Sequence, residues 1–257
     1  MSYPQRIICL TEESVETLFL LGKGHLIVGV SHYVERPLEA KALPKVSHFL
    51  SGQQTKIVDL KADLILGFSD IQKDLARDLI GKGQNVFVTN QRSLEEILDY
   101  ILMLSRLVDA KEAGLKLVDS YRRKLDVFVD KAAQKSFHPK VYFEEWDEPK
   151  ISAIQWVNEI ISASGGKPLF AEHAGVTASE RIIQDEEVIK RNPDIILGCW
   201  CGKKVQIDQI LERQDWNQIT AVKNKKVFEL APEIFLQPGP ALFEDGLDLM
   251  TTTLDLI

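Results

Sequence analysis

Between Asp109 and Gln134, apolar residues recur at Leu115, Val118, Tyr121, Leu125, Phe128, Val129 and Ala132. Steps of three and four place such residues on one face of a helix. Asp109 followed by Glu112 fits a capping box, and no Pro interrupts the run before His138-Pro139. At 1.5 Å per residue, about 25 residues make a rod of roughly 38 Å, the width of a domain. The pattern predicts a linking helix over residues 109–136, with an α/β lobe at 1–108 and another at 137–257.

On either side of this helix, short apolar runs alternate with helical periodicity. In the first half, strands are predicted at 6–10, 26–30, 62–67 and 85–89. Helices are predicted at 14–21, 57–60, 70–80 and from Ser93 to about Leu107, while 34–53 reads as loop. In the second half, strands fall at 140–144, 193–198 and 226–230, with helices at 152–164, 186–191, 207–211 and 245–256. Short connections between strands and helices imply parallel strands joined by right-handed crossovers. Asp63-Leu64-Ile65-Leu66-Gly67 returns as Asp194-Ile195-Ile196-Leu197-Gly198, and Val86-Phe87 returns as Val227-Phe228. The predicted fold is therefore α/β, with two Rossmann-like lobes joined by one long helix. Ligands of such sheets lie beyond the carboxyl ends of the strands, so a cleft between the lobes is the expected site.

Composition narrows the function classes. The 257 residues are 45% hydrophobic and 27% charged, an ordinary globular balance. A net charge of −7 argues against a partner held by phosphate neutralisation, so nucleic acid is not expected. Three cysteines, Cys9, Cys199 and Cys201, do not make a disulfide framework. The start shows no secretory pattern and no apolar run approaches the ~20 residues that span a bilayer. As written, the chain reads as a soluble, cytoplasmic monomer without membrane insertion; a removed leader would instead place it in the periplasm or outside the cell.

Several residues at predicted strand ends carry candidate chemistry. His32 and Tyr33 follow the second strand, and neutral imidazole is a common metal or carboxylate partner. Glu12-Glu13 and Glu144-Glu145 end equivalent strands. Such pairs suit acid–base work or recognition of amide or cationic groups, or form a solvated rim. Trp146, Trp156, Trp200 and Phe235 offer rings on which a flat ligand stacks, or fill the core. Trp200, in a turn between two cysteines, is expected to be the more open of these. Cys199-Trp200-Cys201 lacks the second Cys or His pair that a metal site needs, so free thiols are expected. No Ser-His-Asp, Walker or dinucleotide motif is present.

Four fragments in order carry a resemblance: Glu145-Trp146-Asp147-Glu148-Pro149, Trp156-Val157-Asn158-Glu159-Ile160-Ile161, Cys201-Gly202 and Pro238-Gly239-Pro240. With the two lobes and the linking helix, they make the chain resemble the class III substrate-binding proteins of ABC importers, a family that handles vitamin B12, iron–siderophores and haem. Within it, the chain is most similar to the leaderless cobalamin-binding-like proteins. The resemblance implies a binding protein rather than an enzyme, with no intrinsic cofactor and a corrinoid or other metal chelate as ligand. Iron–siderophore or haem binding, or a cytoplasmic corrinoid- or metal-handling enzyme, are the alternatives. It implies ligand contacts at Phe68 and the Phe235–Gln237 loop beside Glu12, His32, Tyr33, Glu145, Trp146, Trp200 and Cys201. It implies permease docking through an acid on each lobe, Asp74 (or Asp70) and Glu212 (or Asp208). Relatives carry a Cys where this chain has Val34, and few basic residues beyond Arg36, Lys203 and Lys204 fall in the cleft segments, which tilts the ligand towards a corrinoid.

Overall fold

The computed structural model describes residues 3–48, 51–173 and 177–257. Two compact units divide the chain. The first is Met1–Gln91, Glu95–Ser120 and Gln237–Ala241; the second is Arg92–Leu94, Tyr121–Leu236 and Leu242–Ile257.

In the first unit, β1 (Ile7–Cys9), β2 (Ile27–Ser31), β3 (Lys45–Ser47), β4 (Leu64–Phe68) and β5 (Val86–Thr89) form one sheet in the order β3-β2-β1-β4-β5. All four pairings are parallel. Successive side chains point to opposite faces, and both faces of the central strands are covered, so β1 and β4 are apolar throughout. Ile7, Cys9, Val30 and Leu66 pack with α1 (Glu12–Leu20) and α4 (Leu94–Leu107). Ile8, Leu10 and Ile65 pack with α2 (Gln54–Asp59) and α3 (Lys73–Gly81). Lys45–Ser47 lies inside the stretch read as loop; three residues with one buried valine carry no periodic signal.

The second unit repeats the plan with β6 (Lys140–Asp147), β7 (Lys150–Ser152), β8 (Lys167–Pro168), β9 (Ile195–Gly198) and β10 (Val227–Glu229). Its order is β10-β9-β6-β7, with β8 beside the start of β6 and β7 antiparallel to β6. The helices are α6 (Gln155–Ala163), α7 (Asp185–Arg191), α8 (Ile207–Leu211), α9 (Thr220–Lys223), α10 (Pro232–Phe235) and α11 (Leu247–Leu254). The sequence echo has a physical role. Asp63 accepts the Arg6 N–H ahead of β1 at 3.1 Å, and its own N–H donates to Arg6 O at 2.9 Å. Asp194 does the same for Lys140, at 2.8 and 2.9 Å.

The long helix is α5 (Lys111–Ala133), whose first turns belong to the first unit and whose remainder belongs to the second. Asp109 does not cap it. With φ of 54° Asp109 closes α4 instead, and Ala110 N–H donates back to Ser105 O at 2.7 Å, the Schellman pattern. The buried stripe also differs from expectation. Gly114, Val118, Tyr121 and Ala132 are buried, Leu125 and Phe128 half-buried, whereas Leu115 and Val129 face solvent. Gly114 is part of the packed face because α4 lies against it: a Cβ there would meet Ser105 Oγ at 2.2 Å and Ser105 Cβ at 2.3 Å. Further along, Tyr121 stacks on Phe243 at 4.9 Å and donates to Glu244 at 2.6 Å.

Gly114→Ala is therefore expected to destabilise the protein. The overpacking costs about 1–3 kcal/mol, which outweighs the ~1 kcal/mol that alanine gains over glycine within a helix. Gly81, with open space around its Cα, is the control, and Gly81→Ala is expected to be neutral or stabilising. Urea unfolding midpoints of the two variants check both statements.

Candidate functional site

The first turn of α1 follows β1 after only Leu10 and Thr11, so three carboxylates sit directly beyond the strand. They are buried rather than forming a solvated rim. Glu12 accepts the N–H groups of Glu35 and Arg36 at 2.6 and 2.8 Å and so holds the chain that follows β2. Glu16 takes the Arg36 guanidinium at 2.9 and 3.0 Å on one oxygen and the Ala241 N–H at 3.1 Å on the other. Glu13 accepts the hydroxyls of Thr11 (2.5 Å) and Ser14 (3.4 Å), and its Oε2 finds no donor among the described residues. Burial pushes Glu12 up to about 7 against the pull of its two N–H donors, and it pushes Glu13 to about 7 as well.

The Pro238-Gly239-Pro240 motif finds its reason here. Gly239 lies on the backbone of Glu13, where a Cβ would meet Glu13 Cβ at 2.5 Å, and Gln91 donates to Pro238 O at 3.3 Å. Gln237, at the start of this segment, is half-buried. Beyond β2, His32 and Tyr33 are exposed, and Tyr33 retains 51% of its surface. The His32 ring stacks on His48 with centroids 4.5 Å apart, and Tyr33 meets His48 edge-on at 6.0 Å. His48 fell in the segment read as loop, and it reaches His32 because β3 pairs with β2. Of the nearby cations, Arg36 pairs with Glu16 and Lys41 pairs with Glu35, whereas the buried Lys45 ammonium has no hydrogen-bond partner among the described residues. Phe68 is buried, and its N–H donates to Gln72 at 3.0 Å.

In the second unit, Glu144 is fully buried at the end of the four-residue buried stretch of β6. Arg213 holds it through two bonds of 2.5 and 2.8 Å, Tyr142 OH donates at 2.8 Å and Trp200 Nε1 at 3.2 Å. Trp200 is thereby 1% exposed, a core residue and not the open ring expected of its turn. Glu145 is paired with Arg181 at 2.5 and 3.0 Å. Trp146 remains partly exposed, but Lys203 sits 4.2 Å from its ring centroid and bonds Asp147 at 2.5 Å. Phe235 is buried within α10, not in a loop, and its carbonyl accepts Trp156 Nε1 at 2.8 Å, which makes Trp156 core too. Cys199 is buried, while Cys201 is exposed.

Asp74 is exposed on the first turn of α3 and bonds Arg77 at 2.9 Å; Asp70, Asp208 and Glu212 are exposed as well. Arg181 and Arg213, which neutralise the two strand-end glutamates, were not legible in the chain, because each lies dozens of residues from its partner. Among the described residues, no three His, Cys, Asp or Glu side chains group as a metal site, and no helix is long and apolar enough to cross a membrane.

Glu12 and Glu13 hold their protons more tightly folded than unfolded, where the ordinary value is 4.5. Their contribution is fully present below pH 4.5 and is lost as pH rises towards 7, so stability is expected to fall across that window by about 2–3 kcal/mol for each carboxyl. Urea unfolding at pH 5, 6 and 7 measures the slope, and Glu13→Gln is expected to flatten it.

With this geometry in view, the chain can be compared with known proteins. An ABC transporter substrate-binding lipoprotein of Bacillus subtilis, YvrC, is 27% identical over 250 residues, covering 94% of this chain and 77% of that protein. A vitamin B12-binding protein of Vibrio parahaemolyticus is 26% identical over 241 residues, covering 92% and 84%. The crystal structure of a possible iron-binding (periplasmic solute-binding) protein from Staphylococcus epidermidis superposes with a TM-score of 0.81 at 26% identity, covering 98% of this chain and 99% of that one. The periplasmic binding protein model matches residues 7–234. Two parallel βα units and that match over most of its length agree: the chain belongs to the periplasmic binding protein family.

Proposed function

We propose that this protein is the binding component of an ABC importer and captures a corrinoid, without catalysing a reaction. The observation that carries the reading is the surface beyond β2, where His32, Tyr33 and His48 stand exposed while Arg36 and Lys41 are each held by a carboxylate. Aromatic rings of this kind offer contact area to a flat macrocycle at low entropic cost. An anionic ferric chelate or a haem propionate needs unpaired cations at the surface, and here Arg36 and Lys41 are each held by a carboxylate while the Lys45 ammonium is buried. A corrinoid with an amide periphery makes no such demand. Gln237, half-buried in the same unit, supplies an amide partner for such a periphery. The Vibrio relative's ligand points the same way.

Iron–siderophore or haem binding is the second reading. It is favoured by the exposed imidazoles and phenol, which are donors for ferric iron, and by the Staphylococcus structure. Delivery to a permease would use Asp74 and Glu212, exposed acids on α3 and at the end of α8. Like the periplasmic solute-binding protein of Staphylococcus epidermidis, the protein would then work outside the cytoplasmic membrane.

Isothermal titration with cyanocobalamin, hemin and ferrichrome separates the readings. Cyanocobalamin is expected to bind at micromolar Kd or tighter. Tyr33→Ala is expected to weaken it about tenfold, the equivalent of ~1.4 kcal/mol. Tight binding of hemin or ferrichrome with no heat from cyanocobalamin would replace the corrinoid by the iron chelate.

A further inference from the structure

The first unit leaves one sheet edge open. At the opposite edge β3 is covered by its own chain: Ser47 bridges Gly52, and Gln53 N–H donates to Val46 O at 2.8 Å. In the second unit β7 is covered in the same way by the Ile151–Ile182 bridge. Along β5, the carbonyls of Asn85 and Thr89 bond inward to Ile65 and Ser69 of the β4 segment, so Val86 and Val88 turn their N–H and C=O groups outward. No strand lies beyond them among the described residues. An unpaired edge of this kind is a template for another strand.

A groove of about 640 Å³ runs between this edge and α4. Phe87, half-buried on the α4 face of β5, and Met103, 39% exposed, line it together. Two buried polar atoms behind its lining, Thr89 Oγ1 and the Oε1 of Gln91, find no hydrogen-bond partner among the described residues. Charge is sorted along the groove as well. Glu96 and Asp99 lie on the turn of α4 that follows β5, and Arg106 lies two turns on from Asp99, about 10 Å along the helix.

We propose that this edge takes up an extended peptide segment of a partner protein, added beside β5 as a sixth strand. Main-chain bonds to Val86 and Val88 supply the pairing. A basic side chain faces Glu96 and Asp99, an apolar one packs against Phe87 and Met103, and an acidic one faces Arg106. Strand addition to an open edge draws its affinity from the main chain and its selectivity from alternate side chains.

The probe is the labelled peptide Thr-Lys-Thr-Val-Thr-Glu-Thr, blocked at both ends, whose Lys, Val and Glu share one face. Its comparison replaces Lys by Glu. Fluorescence anisotropy and amide chemical shifts of the full chain are read together. The Lys peptide is expected to shift the Val86 and Val88 amides and to bind at least tenfold more tightly than its comparison. Asp99→Lys, on an exposed helix face, is expected to abolish that preference. Val88→Pro, which removes an outward N–H, is expected to abolish binding with the circular dichroism unchanged. If the amides do not move at millimolar peptide, or if both peptides bind alike to the wild type, the proposal is wrong. If Val88→Pro unfolds the chain, the Asp99→Lys comparison decides.

Discussion

Each unit hangs on a carboxylate clasp at the foot of its central strand. Asp63 and Asp194 accept the N–H that opens the neighbouring strand and return a bond from their own amide. Away from its edges, a parallel sheet covered on both faces has nowhere to leave an unpaired backbone group, so the ends of its inner strands must be closed by something local. An aspartate just before an apolar run does this with two short bonds. Register follows: Ile7 opposes Leu64, and Val141 opposes Ile195.

At the other end of the same strands, carboxylates serve as structural clasps. Glu12 and Glu16 gather the segment after β2 and the one around Gly239, and Glu144 gathers Tyr142, Trp200 and Arg213. A buried charge survives only where donors and counter-charges surround it. Glu144 has a two-bond arginine; Glu13 has two hydroxyls on one oxygen and, among the described residues, no donor for the other, and burial there favours the proton. The two units thus share a plan but differ in how tightly they solve the same electrostatic problem.

Aromatic residues divide along similar lines. Trp156, Trp200 and Phe235 are held in the core, the two indole N–H groups spent on a carbonyl and a carboxylate. Trp146 keeps an open flank, yet Lys203 rests on its ring. What stays free is the His32–Tyr33–His48 group, displayed because β2 and β3 end side by side. Ring type alone does not sort these cases: a tryptophan in a turn between cysteines looks open until a glutamate 56 residues away is seen to hold it.

By itself, the chain determined the α/β plan, the long central helix and the repeat of Asp63–Gly67 at Asp194–Gly198, because these rest on local periodicity and on residues adjacent in sequence. Family membership was legible for the same reason, in short fragments kept in order. Only the tertiary structure decided that Asp109 ends α4 instead of opening α5, and that Gly114 rather than Leu115 faces the packing partner. It also decided that β3 exists, that Glu12 and Trp200 are buried, and that His48 joins His32. Each of these depends on a partner far along the chain, and a contact of that kind leaves no period in the sequence; it is settled by which surfaces exclude water together.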